Sequence, residues 1–144
     1  MSGRGAVGSA PRLGRGGRSF KSSRPDQLFM FNEICIYEAK IDKQDEIEAL
    51  MKEVAEFYLS QPGIIDVKYI KRTHRQKDFN AVKNGEPAIP LTRQIGKVTY
   101  VLYLVCENAE AHARLCQPAL AKFYKRWTRC LTTMPKIILG ENIV

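Results

Sequence analysis

Gln61-Pro62-Gly63-Ile64-Ile65-Asp66-Val67-Lys68-Tyr69-Ile70-Lys71-Arg72 closes one periodicity and opens another. Upstream, Asp45 to Ser60 places Ile47, Leu50, Met51, Val54, Phe57 and Tyr58 at the spacing that gives an α-helix one apolar face. Pro62 cannot continue that helix, and Gly63 is free to take the positive φ that a helix exit needs. Downstream, Ile65, Val67, Tyr69 and Lys71 alternate with Asp66, Lys68, Ile70 and Arg72, the period of two expected of a strand with one buried face. The unit reads helix, Pro-Gly turn, strand, with the strand running to about His74.

On the N-terminal side, Phe29 to Ile41 is a β-favouring run, with Asn32, Ile34, Ile36 and Glu38 on one face and Phe31, Glu33, Cys35, Tyr37 and Ala39 on the other. Asp42 is placed to cap the following helix, whose first turns hold Asp45, Glu46 and Glu48, where the helix dipole favours negative charge. On the C-terminal side, Arg75 to Lys97 loses all periodicity and reads as a long connection of the kind that serves as a lid, a dimer arm or a disordered segment. Lys97 to Cys106 is the most apolar stretch and reads as a central strand. Asn108 caps a helix that runs to about Leu115 and breaks at Gln117-Pro118; a second piece, Ala119 to Leu131, carries Leu120, Phe123, Tyr124, Trp127 and Leu131. Pro135 opens a last strand, Lys136 to Val144. The order β-α-β-β-α-β predicts an α+β, ferredoxin-like domain over residues 30–144: a four-stranded antiparallel sheet with both helices on one face. The other face keeps large apolar residues, which predicts a homodimer formed through it, burying about 1,500 Å².

Of the net charge of +8, residues 1–29 contribute +5, from six basic residues against Asp26 alone, together with six of the ten glycines. Such a tail cannot offset its own ordering entropy and is expected to be disordered. It reads as a solvated tail, a nucleic-acid-binding arm, an organelle leader, or an upstream extension ahead of Met30. No apolar run approaches the roughly 20 residues that span a bilayer, so no membrane association is expected. Cys35, Cys106, Cys116 and Cys130 form no CxxC pair and only two histidines are present, so by spacing no zinc site is expected. Buried free thiols fit a reducing, cytoplasmic setting. No phosphate loop, GxGxxG, nucleophile elbow or HExxH occurs.

Asn32-Glu33-Ile34 in the first strand, the Pro62-Gly63-Ile64 turn, a third strand leading into Glu107-Asn108-Ala109-Glu110-Ala111, and a second helix interrupted at Gln117-Pro118 together resemble the antibiotic biosynthesis monooxygenase-like domains of the dimeric α/β-barrel superfamily. The resemblance covers about Met30 to Val144. It implies a ferredoxin-like protomer paired through its sheet, with a pocket between sheet and helices, and cofactor-independent oxidation of an anthrone- or quinol-type aromatic by O2. Haem-degrading relatives share an asparagine matching Asn32, but the tryptophan and histidine of that subgroup have no counterpart here, so haem is not expected and no cofactor is assigned. An amide both donates and accepts, so Asn32 is a candidate to hold a substrate oxygen, and His112 is a candidate base. Tyr37, Tyr100, Tyr103, Phe123 and Trp127 are candidate walls for the aromatic ligand. Two other readings stand beside this one. One is a non-catalytic member of the same fold, used for ligand sensing or assembly. The other is an RNA-binding βαββαβ module, whose stacking pair would have to come from Tyr100 and Tyr103, which face opposite ways on one strand.

Overall fold

The structure, a computed structural model, describes residues 30–75 and 79–144. The basic tail lies outside the described residues. Strand β1 (Phe31–Lys40) enters a single 3-10 turn (Ile41–Lys43) and then helix α1 (Gln44–Leu59); strand β2 (Ile64–Lys71) follows the Pro-Gly turn. A short helix α2 (Asn80–Lys83), strand β3 (Lys97–Cys106), the long helix α3 (Ala109–Cys130) and strand β4 (Lys136–Glu141) complete the chain. The sheet order is β2-β3-β1-β4, antiparallel throughout, with α1 and α3 on one face. This is the ferredoxin-like arrangement.

The pleat decides what each strand contributes. On β1, Glu33, Cys35, Tyr37 and Ala39 are buried under the helices, opposite Leu104, Leu102, Tyr100 and Val98 of β3. Helix α1 adds Ile47, Leu50, Met51, Val54 and Tyr58, and α3 adds Ala111, Leu115, Ala119 and Phe123. Each fully buried large aliphatic or aromatic side chain is worth about 1.5–3 kcal/mol of transfer free energy, so this layer carries the stability of the fold.

Five local expectations are corrected. Pro118 does not break the second helix: α3 is continuous over 22 residues with the proline inside. Pro118 and Arg114 are both exposed, so the carbonyl that loses its partner faces solvent, while the buried stripe runs on from Leu115 to Ala119 and Phe123. Packing of that stripe outweighs a proline cost of about 3 kcal/mol. Asp42 does not cap α1. It lies in the 3-10 turn, so the chain arrives already wound, and no side chain caps the helix. β2 ends at Lys71, because Thr73 and His74 turn away to pair with the returning segment at Pro90 and Leu91. β4 ends at Glu141, where its partner β1 runs out at Phe31. Within β2 a bulge at Ile65 shifts the alternation, leaving that side chain exposed while Val67 and Tyr69 face the helices. Asn108 caps α3 as the sequence predicts, its Oδ1 accepting from the Ala111 N–H at 2.8 Å.

Described residues of the connection between β2 and β3 are hydrogen-bonded just past the end of β2. The Arg75 N–H donates to Ile89 O at 2.7 Å and Leu91 N–H to Thr73 O at 2.9 Å. No helix among the described residues is long and apolar enough to cross a membrane.

Candidate functional site

Helix α3 carries two parallel stripes at four-residue spacing. Ala111, Leu115, Ala119 and Phe123 form the core stripe, and the next one round the helix is His112, Cys116, Leu120, Tyr124 and Thr128. Residues four apart lie above one another on a helix, so the second stripe forms one wall. It roofs a cavity of about 250 Å3 whose floor is Glu33, Cys35 and Tyr37 of β1 with Ile137 and Leu139 of β4. Tyr58 of α1 closes one side, and Leu131, Met134 and Pro135 close the end. The cavity exists because neither helix lies squarely over β4: Ile137 and Leu139 face the helices' side yet stay half exposed.

Most of this surface is hydrophobic. The exception is one cluster. Glu33 is only 9% exposed, and a carboxylate so deep requires a partner. The partner is His112, whose Nε2 lies 2.6 Å from Glu33 Oε1. Cys116, one turn further along α3, places its Sγ 3.4 Å from the same Nε2 and 3.8 Å from Nδ1. The Phe31 ring packs on the imidazole with centroids 5.1 Å apart. The Cys116 contact first, and the Glu33 hydrogen bond second, push the His112 pKa up to about 9. His112 is therefore an imidazolium at neutral pH, donating to the Glu33 carboxylate. Burial pushes Cys35 and Cys106 up to about 11 and also raises Cys130, so these three stay thiols within the core.

Further along the same floor, four residues from Glu33 on β1, Tyr37 stacks against Trp127 with centroids 4.7 Å apart and planes 9° from parallel. Offset or tilted neighbours extend this wall, with Tyr69 6.2 Å from Tyr37. The cavity thus pairs an aromatic wall with one buried ion pair.

Of the residues singled out from sequence, His112, Tyr37 and Trp127 meet here. Asn32 does not, because it is one residue out of phase with Glu33 and so faces the opposite side of the sheet. Its Nδ2 donates to Asn142 Oδ1 at 2.6 Å, Met30 O at 3.2 Å and Gly140 O at 3.3 Å, closing the β1–β4 edge. Tyr103 shares that open face, opposite Ile34. Tyr100 is buried and donates its hydroxyl to Glu48 Oε2 at 2.7 Å, beneath α1. Phe123 is core, edge-on to Phe57 at 5.7 Å. Glu33, Cys116, Tyr58 and Tyr124 were not singled out. The available signals were a carboxylate in phase with Cys35 and Tyr37 on the buried face of β1, and the four-residue spacing of His112 and Cys116.

No family model and no curated protein matches the sequence. Solved structures do. A conserved protein from Methanosarcina mazei Go1 superimposes with a TM-score of 0.60 at 13% identity, over 81% of this chain and 96% of that one. A candidate antibiotic biosynthesis monooxygenase from Nitrosomonas europaea gives 0.58 at 13% identity, over 79% and 90%. A mutant of SnoaB, a cofactor-independent oxygenase from Streptomyces nogalater, gives 0.56 at 16% identity, over 80% and 94%. The chain has their fold. At these identities the likeness speaks for the architecture, and the chemistry has to be argued from the cavity itself.

Proposed function

We propose that the protein is a small monooxygenase-like enzyme that takes an electron-rich aromatic, an anthrone or quinol, into the cavity under α3 and oxidises it with O2 without a resident cofactor. One observation carries the reading: a buried carboxylate–imidazolium pair, Glu33 and His112, shares an otherwise apolar cavity with a stacked Tyr37–Trp127 pair. A phenol or anthrone seated on those rings gives its acidic proton to the Glu33 carboxylate, and the His112 N–H stabilises the oxyanion that forms. The resulting anion is itself the reductant for O2, so the protein's share is a dry cavity, a proton acceptor and an oxyanion donor. That SnoaB, a cofactor-independent oxygenase, shares the fold supports the reading.

In this reading the protein is a homodimer. Ile34, Ile36, Val101 and Tyr103 lie on a sheet face that no helix among the described residues covers, with Ile70 and Ile138 more than half exposed beside them. A second copy of the same face is the closed solution. Tyr103 is the sole aromatic on the described part of that face, and Tyr100 points beneath α1, so no stacking pair favours the RNA-binding alternative.

The test is oxygen uptake by the full chain against a panel of anthrones and hydroquinones, beside Glu33→Gln and Asn32→Ala. Uptake above the spontaneous rate, reduced about 10²-fold or more in Glu33→Gln and unchanged in Asn32→Ala, is the expected result. Uptake indifferent to Glu33→Gln would remove the cluster from the chemistry. No uptake from any compound would move the protein to the ligand-binding reading.

A further inference from the structure

We propose that Glu33, His112 and Cys116 form a binding site for one divalent transition-metal ion of the zinc class. The inference does not rest on the oxygenase reading and concerns a different state of the same cluster: an ion held there takes up the Glu33 carboxylate and the His112 Nε2, so the proton acceptor and oxyanion donor of that reading belong to the metal-free protein. In a nucleophile–histidine–acid triad the two partners occupy opposite ring nitrogens. Here the shorter contact of each partner is to the same one: Glu33 Oε1 is 2.6 Å and Cys116 Sγ 3.4 Å from His112 Nε2, with the sulfur also 3.8 Å from Nδ1. One ligand atom from each of the three residues lies within 4.8 Å of those of the other two. Three donors of different chemistry gathered this closely suit a cation better than a proton relay.

The distances decide how much must move. Tetrahedral zinc with bonds of about 2.0–2.1 Å to nitrogen and oxygen and about 2.3 Å to sulfur sets ligand separations of about 3.5 Å for N to S and about 3.4 Å for N to O. The imidazole–sulfur spacing of 3.4 Å is already in place. The carboxylate, at 2.6 Å, has to withdraw by about 0.8 Å, which a rotation about its own side-chain torsions supplies. His112 and Cys116 are held one turn apart on α3, and Glu33 comes from β1 across the cavity floor, so two rigid elements set the triangle.

Chemistry selects the class of ion. A thiolate donor disfavours magnesium and calcium, which take oxygen ligands, while a mixed imidazole, thiolate and carboxylate set suits zinc and its divalent neighbours. Binding releases the Cys116 thiol proton and the proton shared by His112 and Glu33 to solvent. The product, one M2+ with one thiolate and one carboxylate, is net neutral, as an apolar cavity requires. Three protein ligands leave a position open toward the cavity, where an oxygen donor such as a phenolate or enolate fits.

The experiment uses the reduced, metal-stripped full chain under anaerobic conditions, with Co2+ as the spectroscopic probe and Zn2+ as competitor. One equivalent of Co2+ is expected to give a thiolate-to-metal charge-transfer band together with the intense visible bands of low coordination number, both removed by Zn2+. Cys116→Ser abolishes the charge-transfer band, and Glu33→Gln weakens binding at least about tenfold. A second readout needs no variant: Zn2+ protects Cys116 from alkylation, mapped by peptide mass. The absence of a one-equivalent band in the unmodified chain, its survival in Cys116→Ser, or alkylation of Cys116 at an unchanged rate with Zn2+ would each overturn the proposal.

Discussion

Replacing Gly63 by alanine tests the joint that places α3, and with it the site. Gly63 has φ +82°, and a Cβ built on it falls 2.7 Å from Ala111 Cβ. Its carbonyl also accepts from the Glu107 N–H at 2.8 Å, so the backbone here is pinned to the turn that enters α3. Two costs follow. Left-handed backbone in a residue with a Cβ costs about 1–2 kcal/mol, and an overlap of about 1 Å against ordinary carbon contact, in a packed place, adds about 1–3 kcal/mol. The expected loss is therefore about 2–5 kcal/mol, a large share of the 5–15 kcal/mol typical of a domain. Gly85 supplies the control, since its φ is +83° with nothing within 4 Å of a built Cβ. Gly85→Ala should show the strain alone, about 1–2 kcal/mol. Adding Ala111→Gly to Gly63→Ala removes the overlap and should recover part of the loss, despite a helix-glycine penalty of up to about 1 kcal/mol. Urea unfolding of the four proteins measures these differences. If Gly63→Ala costs no more than Gly85→Ala, or the double variant recovers nothing, the close approach of the turn to α3 does not hold the helix in place.

In the metal-free protein, the raised His112 pKa makes a stability contribution that is full below about 6.5 and is lost as pH rises through about 9; the shift sets a ceiling of roughly 3 kcal/mol. Unfolding curves of the unmodified chain and of His112→Gln should therefore converge over that window, and a constant difference from pH 6.5 to 9 would refute the ion-pair assignment. Trp127 is the only tryptophan and stacks in the cavity wall, so binding of an aromatic ligand should change its fluorescence; a ligand that raises the melting temperature without altering the emission binds elsewhere. Val101 lies between Ile36 and Ile70 on the open sheet face, so Val101→Glu should convert a dimer to a monomer in light scattering, and an unchanged mass would place the interface elsewhere.

The fold was legible because its signals are local. The helix ending at Pro62-Gly63, the alternation of β1 and the apolar run of β3 each specify an element without reference to the rest, and their order leaves few topologies. Where the reading failed, a non-local term won. Pro118 reads as a break in any window of sequence; it is absorbed because the buried stripe of α3 passes on the other side of the helix. Ile65 falls out of alternation because the bulge against β3 inserts one residue, which only the register with the partner strand reveals.

The site was legible in phase but not in partnership. The pleat of β1 already separates Asn32 from Glu33, and once Cys35, Tyr37 and Ala39 are taken as the core face, a carboxylate in step with them must find a cation, a proton or a metal. What sequence could not supply is that Glu33 and His112, 79 positions apart, would meet at 2.6 Å. The spacing rule for metal sites looks for ligands paired along the chain, so it does not address the proposed set, in which a single turn of α3 gives two donors and the third comes from the opposing sheet. The fold explains why they meet at this spot. A helix laid diagonally on a four-stranded sheet buries one stripe against β1 and β3 and turns the next toward an edge strand that it does not cover, so any polar group on that second stripe is desolvated without being packed. In this chain the second stripe begins His112, Cys116, and the strand beneath offers Glu33. The same geometry that leaves a cavity under α3 therefore also concentrates the chain's reactive groups on its floor and roof.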